Sequence, residues 1–361
     1  LIMNAAKASE VAAGSALAVD RTIFSEYITR ALEDHGNITI IREEVADIPE
    51  PPAIIATGPL TSDAMADALK KLIGGEHLFF YDAIAPIIDA GSIDYSTAYL
   101  ASRYGKGGDD YVNCPMSEDE YGTFFEALKN ADTVHRRVFE DAKVFEGCMP
   151  VEVMAERGKD TLRFGPLKPV GLPDPKTGRI PYAVVQLRTE NRQRSAYNMV
   201  GFQTRLKWPD QKEVFTTIPG LEHAEFLRFG SMHRNTYINA PLHLNADLSL
   251  KEKSCLYLAG QITGVEGYIE STAMGLLAGI NAARRMSGME TIHPPKVSAH
   301  GSLIAHITGS DPARFQPSNI NFGLIPEVSL TPKIKDKKLR RKMTAEVALK
   351  EWSEYIKKIR L

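Results

Sequence analysis

Glycines at 260, 264 and 267 follow a short apolar run at residues 255–259. They precede a helical pattern carrying Ala273, Gly275, Ala278, Gly279, Ala282 and Ala283. A strand, a glycine turn and a small-residue helix leave backbone N–H groups free to point at an anion or a ring oxygen. The same pattern suits a nucleotide or flavin site and plain close packing in an α/β core. A second strand-like run, residues 53–56, ends in Thr57-Gly58-Pro59, another tight turn where backbone can pass close to a ligand. Of the three cysteines, Cys148 has a glycine before it and a proline two residues on, which permits close approach. A lone cysteine is otherwise a small buried hydrophobe, the reading kept for Cys114 and Cys255. Basic residues gather at Arg103 and Lys106, at Arg188, Arg192 and Arg194, and at Arg205 and Lys207, with Tyr104, Tyr111 and Tyr197 among them. Such groups are solvated surface charges, or phosphate contacts with tyrosines that stack unpaired bases.

The elements that must position these groups read as α/β at both ends of the chain. Asp20 is a helix N-cap, and Phe24, Tyr27, Ile28, Ala31 and Leu32 form an apolar stripe up to Gly36. Residues 38–45 alternate as a strand, and the pair Pro51-Pro52 introduces the strand at 53–56. From about residue 74 long Gly-, Asp- and Pro-rich loops replace that rhythm. One clear helix follows at residues 118–131, then strand-like runs at 161–164, 182–187 and 198–204. The α/β pattern resumes at Leu256. A short helix is expected around residues 300–308, and the chain closes on a basic amphipathic helix with Leu339, Met343, Val347, Trp352 and Ile356 toward one side. Seven of the ten residues from 333 to 342 are basic, which fits a solvated face or a phosphate contact.

At 361 residues, with 43% hydrophobic and 24% charged, the chain is an ordinary globular sequence long enough for two cores. No apolar run is long enough to span a bilayer and no leader precedes the first element, so the cytoplasm is expected. Cysteine and histidine spacings fit neither a disulfide framework nor a zinc site. A formal net charge of −2 confines any polyanion to a local basic patch.

Ten stretches, taken together and in order, resemble one family: FFYDAIAPIID, ASRYGKGGDDYVNCPM, FEGCMPVEVMAERG, LRFGPLKPVGL, PYAVVQLR, NMVGFQTRLK, GSMHRNTYIN, AGQITGVEGYIES, GLLAGINAAR and QPSNINFGLIP. They are similar to the folate- and FAD-dependent tRNA (uracil-5-)-methyltransferases, TrmFO, from about residue 16 to 326. The family opens with a strand, a G-x-G-x-x-G turn and a helix, then a cysteine in a CSNSFR-like context. Neither occurs in this sequence, which reads as an N-terminally truncated member.

The resemblance implies a discontinuous, Rossmann-like FAD domain of the two-dinucleotide-domain flavoprotein type with an α+β insertion. Its expected division is residues 1–73 and 249–330 for the FAD domain, 74–248 for the insertion and 331–361 for the basic helix. It implies C5-methylation of the T-loop uridine of tRNA, with 5,10-methylenetetrahydrofolate as one-carbon donor, FAD, and NAD(P)H as reductant. Uracil C5 is a poor nucleophile until a thiolate adds at C6, the role implied for Cys148. Tyr268 is implied as a catalytic and ring-stacking residue. Val45, Thr57, Gly58, Gly260, Gln261, Gly264, Val265, Glu266, Gly267 and Tyr268 are implied to hold the cofactor, with His233 and Asn235 as further pocket candidates. Arg103, Lys106, Arg188, Arg192, Arg205 and Lys207 are implied to meet the T-arm; no membrane and no metal are expected. Competing readings are the related wobble-uridine modifying enzyme, a flavin reductase with no RNA role, and an RNA-binding remnant.

Overall fold

The computed structural model describes residues 1–74, 78–134, 149–326 and 336–359. The chain forms two compact units, residues 1–42 with 80–233 and residues 43–79 with 234–361. The segment expected to be one piece at residues 1–73 is therefore divided at residue 42, and residues 234–248 pack with the second unit.

The first unit is built on a six-stranded antiparallel sheet in the order Phe226–Arg228, Ile87–Asp89, Ala196–Met199, Ala183–Thr189, Tyr111–Met116, Tyr99–Leu100. Register pairs Val112 with Leu187 and Cys114 with Val185, so these apolar side chains share one face. The helix Glu118–Asn130 lies in the same core cluster as that face. Its start is fixed by a capping box: Glu120 N donates to Ser117 Oγ at 3.3 Å, and Ser117 N donates to the Glu120 carboxylate at 2.7 Å. Tyr121, Phe124, Phe125 and Leu128, at helical spacing, are buried, each contributing about 1.5–3 kcal/mol. Across the sheet, Asn113 pairs with Gln186 on the other face, which carries the polar side chains.

The second unit holds a parallel pair, Ala53–Ile55 beside Leu256–Leu258, and the long helix Tyr268–Met286 packs on both strands. Leu256, Tyr257 and Leu258 are buried, as a strand covered by helices requires. Helix Asp63–Ile73 runs from a Ser62 N-cap to Gly74 in the left-handed region, and Ala299–Gly309 starts at a Ser298 cap.

Four expectations need correction. Residues 38–45 form no strand, and Ile38, Ile40, Ile41 and Val45 are exposed; alternation makes a strand only where a neighbour takes up its backbone groups. Residues 161–164 are a helical turn, Thr161–Phe164. Leu162 is 0% exposed and Phe164 79%, whereas a strand would put both on one face. The strand expected at 198–204 stops at Met199, where Val200 N bonds back to Gln186 O and Phe202 N to Met199 O. Arg21–Glu33 ends three residues before Gly36, and none of its stripe is fully buried.

Candidate cofactor turn and basic residues

The parallel register pairs Leu256 with Ala53, Tyr257 with Ile54 and Leu258 with Ile55. Both strands therefore leave the sheet at the same edge, one into Thr57-Gly58 and the other into Gly260-Gln261. Ligands of parallel α/β units bind beyond that carboxyl edge. Two further contacts tie the turns down: Thr236 N donates to Pro59 O and Ile238 N to Ile262 O, both at 2.9 Å. Thr61 Oγ1 donates to Gly58 O at 2.8 Å, and Thr57 and Thr61 hydroxyls lie 2.7 Å apart.

Gly58 has φ of 73°, and a Cβ there would meet nothing within 4 Å, so open space lies over its backbone. Gly264 has φ of 81°, and its added Cβ would sit 2.6 Å from the Phe315 ring. Glycine is thus required at 264 by conformation and by packing together. Residues 260–263 make a 3-10 turn, and Gln261 Nε2 donates to Glu266 Oε2 at 3.1 Å. Val265 bridges to Ser318: Glu266 N donates to Ser318 O and Ser318 N to Gly264 O, each at 3.0 Å.

The 19-residue helix then begins at Tyr268 with Gly267 as N-cap and no side-chain cap. Its first turn presents N–H groups and the positive end of the helix dipole to the turn. Tyr268 is 86% exposed, so its ring is open for stacking. These features fit the polar edge of a planar, electron-accepting ring: open space at Gly58, backbone donors in the first turn of the helix and an exposed aromatic.

Thr57, Gly58, Gly260, Gln261, Gly264, Val265, Glu266, Gly267 and Tyr268 all belong to this one edge of the second unit. Val45 lies on the irregular exposed segment, and Cys148 lies outside the described residues. Sequence reasoning gave no role to Ser318, whose backbone holds the turn; a polar residue in a loop carries no signal of such pairing. Asn235 is 2% exposed and its Oδ1 finds no donor among the described residues, as is true of Asn239 Oδ1, whose amide donates to Pro312 O at 3.0 Å. A buried acceptor without a donor is costly unless a water or ligand supplies one. His233 is partly buried at the end of the first unit.

The basic residues are all in the first unit, but most are engaged there. Arg205 Nε lies 3.4 Å from Glu152 Oε1, and Arg205 N donates to the same oxygen at 3.0 Å. Burial pushes the Glu152 carboxyl above its ordinary range, against the lowering effect of those bonds. Arg103 donates to Val170 O and, at 2.9 Å, to Gln186 Oε1. Arg192 donates to Ala8 O at the end of helix Ile2–Ala8, and Lys207 pairs with Asp132 at 2.7 Å. Lys106 is exposed and Arg188 half-buried on the polar sheet face opposite Tyr111. Cys114 is buried in the core, its thiol pushed up to about 12, and is inert. Among the described residues no group of His, Cys, Asp and Glu could hold a metal ion, and no helix is long and apolar enough to cross a membrane.

A family model described as "Glucose inhibited division protein A" matches residues 1–290. The curated "Methylenetetrahydrofolate--tRNA-(uracil-5-)-methyltransferase TrmFO" of Natranaerobius thermophilus is 56% identical over 99% of this chain and 82% of its own length. The proteins of that name from Geobacter sulfurreducens and Moorella thermoacetica are 57% and 56% identical, over 99% and 98% of this chain and 82% and 80% of their own. Among solved structures, Aquifex aeolicus GidA in its form I crystal superposes with a TM-score of 0.63 at 20% identity, covering 94% of this chain and 62% of that one. The form II crystal gives 0.59 at 19%, covering 80% and 52%. The chain spans only about half to three fifths of the GidA chains, and at that identity the likeness speaks for fold alone. The protein belongs to the GidA class of α/β proteins and, within it, to the TrmFO family.

Proposed function

We propose that this protein methylates uracil C5 in the T-arm of tRNA with methylenetetrahydrofolate, FAD and a nicotinamide reductant. The observation that carries the reading is the shared carboxyl edge of Ala53–Ile55 and Leu256–Leu258, which brings the Thr57-Gly58 and 260–268 turns to one place in a chain whose relatives bear that activity in their names. FAD bound there would supply hydride-transfer chemistry, and the folate a one-carbon unit at the aldehyde level. The N–H groups of the first turn of Tyr268–Met286 would meet the ring edge where negative charge gathers on reduction. Tyr268 would stack on a flat ring, flavin or pterin.

The sulfur of Cys148 is proposed to add to uracil C6, forming a C–S bond and leaving an enolate that is nucleophilic at C5. After the one-carbon unit is attached as a methylene, a base removes the C5 proton and the carrier nitrogen leaves the methylene carbon; a hydride, which reduced FAD would supply, then adds there to complete the methyl as the C–S bond breaks and the thiolate departs. This role rests on the FEGCMP resemblance. Lys106 and Arg188 are the proposed phosphate contacts of the first unit. Arg103, Arg192, Arg205 and Lys207, already bonded within the fold, act first as its ties. Localisation is proposed as cytoplasmic, where tRNA and reduced folate are at hand.

Labelled methylenetetrahydrofolate and an unmodified tRNA transcript should yield 5-methyluridine, and purified protein should carry flavin absorbance. Cys148→Ala should abolish the covalent RNA adduct and keep the flavin. A persisting adduct would remove Cys148 from the chemistry, and a protein without flavin or product would remove the assignment.

A further inference from the structure

Every residue from Asp336 to Lys342 is exposed, and burial of the C-terminal helix Lys337–Lys358 begins only at Met343. The first two turns, the overhang of this helix, therefore keep their side chains in solvent. They carry Lys337, Lys338, Arg340, Arg341 and Lys342. Lys337 stands one turn from Arg341, and Lys338 one turn from Lys342, so like charges are stacked along the helix. All of them lie at the end where the helix dipole is also positive; the first turn holds no acidic residue, and the N-cap Asp336 accepts from Leu339 N at 2.8 Å. Among the described residues the ion pair found for the cluster is Lys342 with Glu346, at 4.0 Å between exposed side chains. A surface so loaded with one sign is electrostatically unfavourable by itself and complementary to a polyanion.

Its location adds a second argument. The Arg341 guanidinium lies 5.3 Å over the Phe322 ring, and Phe322 is itself 44% exposed. Phe322 follows Ser318 by four residues, at most about 14 Å of extended chain, and Ser318 is the residue bonded to Glu266 in the cofactor turn. Phe322, with Arg341 over its ring, thus lies in the same loop as the Ser318 that holds the turn presenting Tyr268.

We infer that this overhang is an RNA docking surface: its lysines and arginines meet the phosphate backbone, and Phe322 offers a face for an unpaired base. Cations interleaved with exposed rings are the chemistry that holds single-stranded and looped RNA. The inference rests on the proposed RNA substrate and adds where the second unit grips it.

The test compares two double variants of the full chain with the same change of net charge. Lys337→Gln with Lys338→Gln alters the overhang; Lys357→Gln with Lys358→Gln alters the other end of the same helix. The probe is a fluorescent T-arm hairpin transcript, with Kd read by anisotropy at several salt concentrations. The overhang pair should raise Kd about tenfold and lower the slope of log K against log salt by about 1.4–1.8, two contacts' worth. The far pair should change Kd less than twofold. Equal effects from both pairs, or none from the overhang pair, overturn the surface, as does an overhang pair that loses binding only to phosphatidylserine vesicles. The two readings fail separately. A chain that forms 5-methyluridine while ignoring the overhang loses only this surface, and one that binds RNA through the overhang but makes no product loses only the activity.

Discussion

Leu258 lies directly beside Ile55 in a parallel pair, and Ala259 N donates to Ile55 O at 3.1 Å. From that point both chains turn away at one edge, so a glycine at 58 and a glycine at 260, two hundred residues apart in sequence, serve one place. The consequence is that their substitution effects should separate fold from ligand.

Gly58→Ala should cost about 1–2 kcal/mol, the left-handed backbone penalty alone, since its Cβ meets no atom within 4 Å. Flavin content should fall well beyond that loss if the cofactor backs onto this glycine. Gly264→Ala adds an overpacked contact with Phe315 and should cost about 1–3 kcal/mol more. Urea unfolding beside the flavin-to-protein absorbance ratio checks both, and equal flavin loss per unit of stability would argue against a ligand at Gly58.

Tyr268→Ala should leave stability within about 0.5 kcal/mol, because the ring is already exposed. A fall in flavin retention or a raised KM for the folate would show that the ring stacks on one of them. Unchanged values for both would return Tyr268 to the ordinary surface.

Arg205 and Lys106 should part company. Arg205→Ala leaves Glu152, 4% exposed, without its cation and should cost about 3–5 kcal/mol. In the protein that remains folded, the salt dependence of RNA binding should be unaltered. Lys106→Gln should leave stability within about 0.5 kcal/mol and lower the salt slope by about 0.7–0.9.

The rings of His300 and Trp352 stack at 4.2 Å and 7°, joining the C-terminal helix to Ala299–Gly309. Burial holds the His300 pKa below its usual 6.5, so protonation is harder in the folded state. Its contribution to stability is present above pH 6.5 and is lost as pH falls through and below that value. Trp352 fluorescence during urea unfolding at several pH values should show this fall, and His300→Phe, which keeps a ring in the stack, should reduce it. A variant as acid-sensitive as the parent would clear His300 of the effect.

The sequence was most legible where period, cap and burial agree. The helix Glu118–Asn130 and its four inward side chains, three of them rings, follow from spacing alone, as do the buried strand before residue 260 and the helix after it. It was least legible where an element's fate rests on a neighbour. Residues 38–45 have strand alternation without a pairing partner, and 161–164 have an apolar pair that the core splits.

Charge shows the same division. Composition places Arg103, Arg192, Arg205 and Lys207 among the basic residues, but only coordinates reveal the carbonyls and carboxylates, from 49 to 184 positions distant, that take up their charge. Conversely, the basic run at 337–342 is plain in the letters, and its exposure with Arg341 over Phe322 is not. The sequence alone determined the family, the glycines and the helix patterns, because those depend on local backbone and side-chain preference. Tertiary structure alone decided which turns share an edge and which cations stay available, because both depend on contacts between residues far apart in the chain.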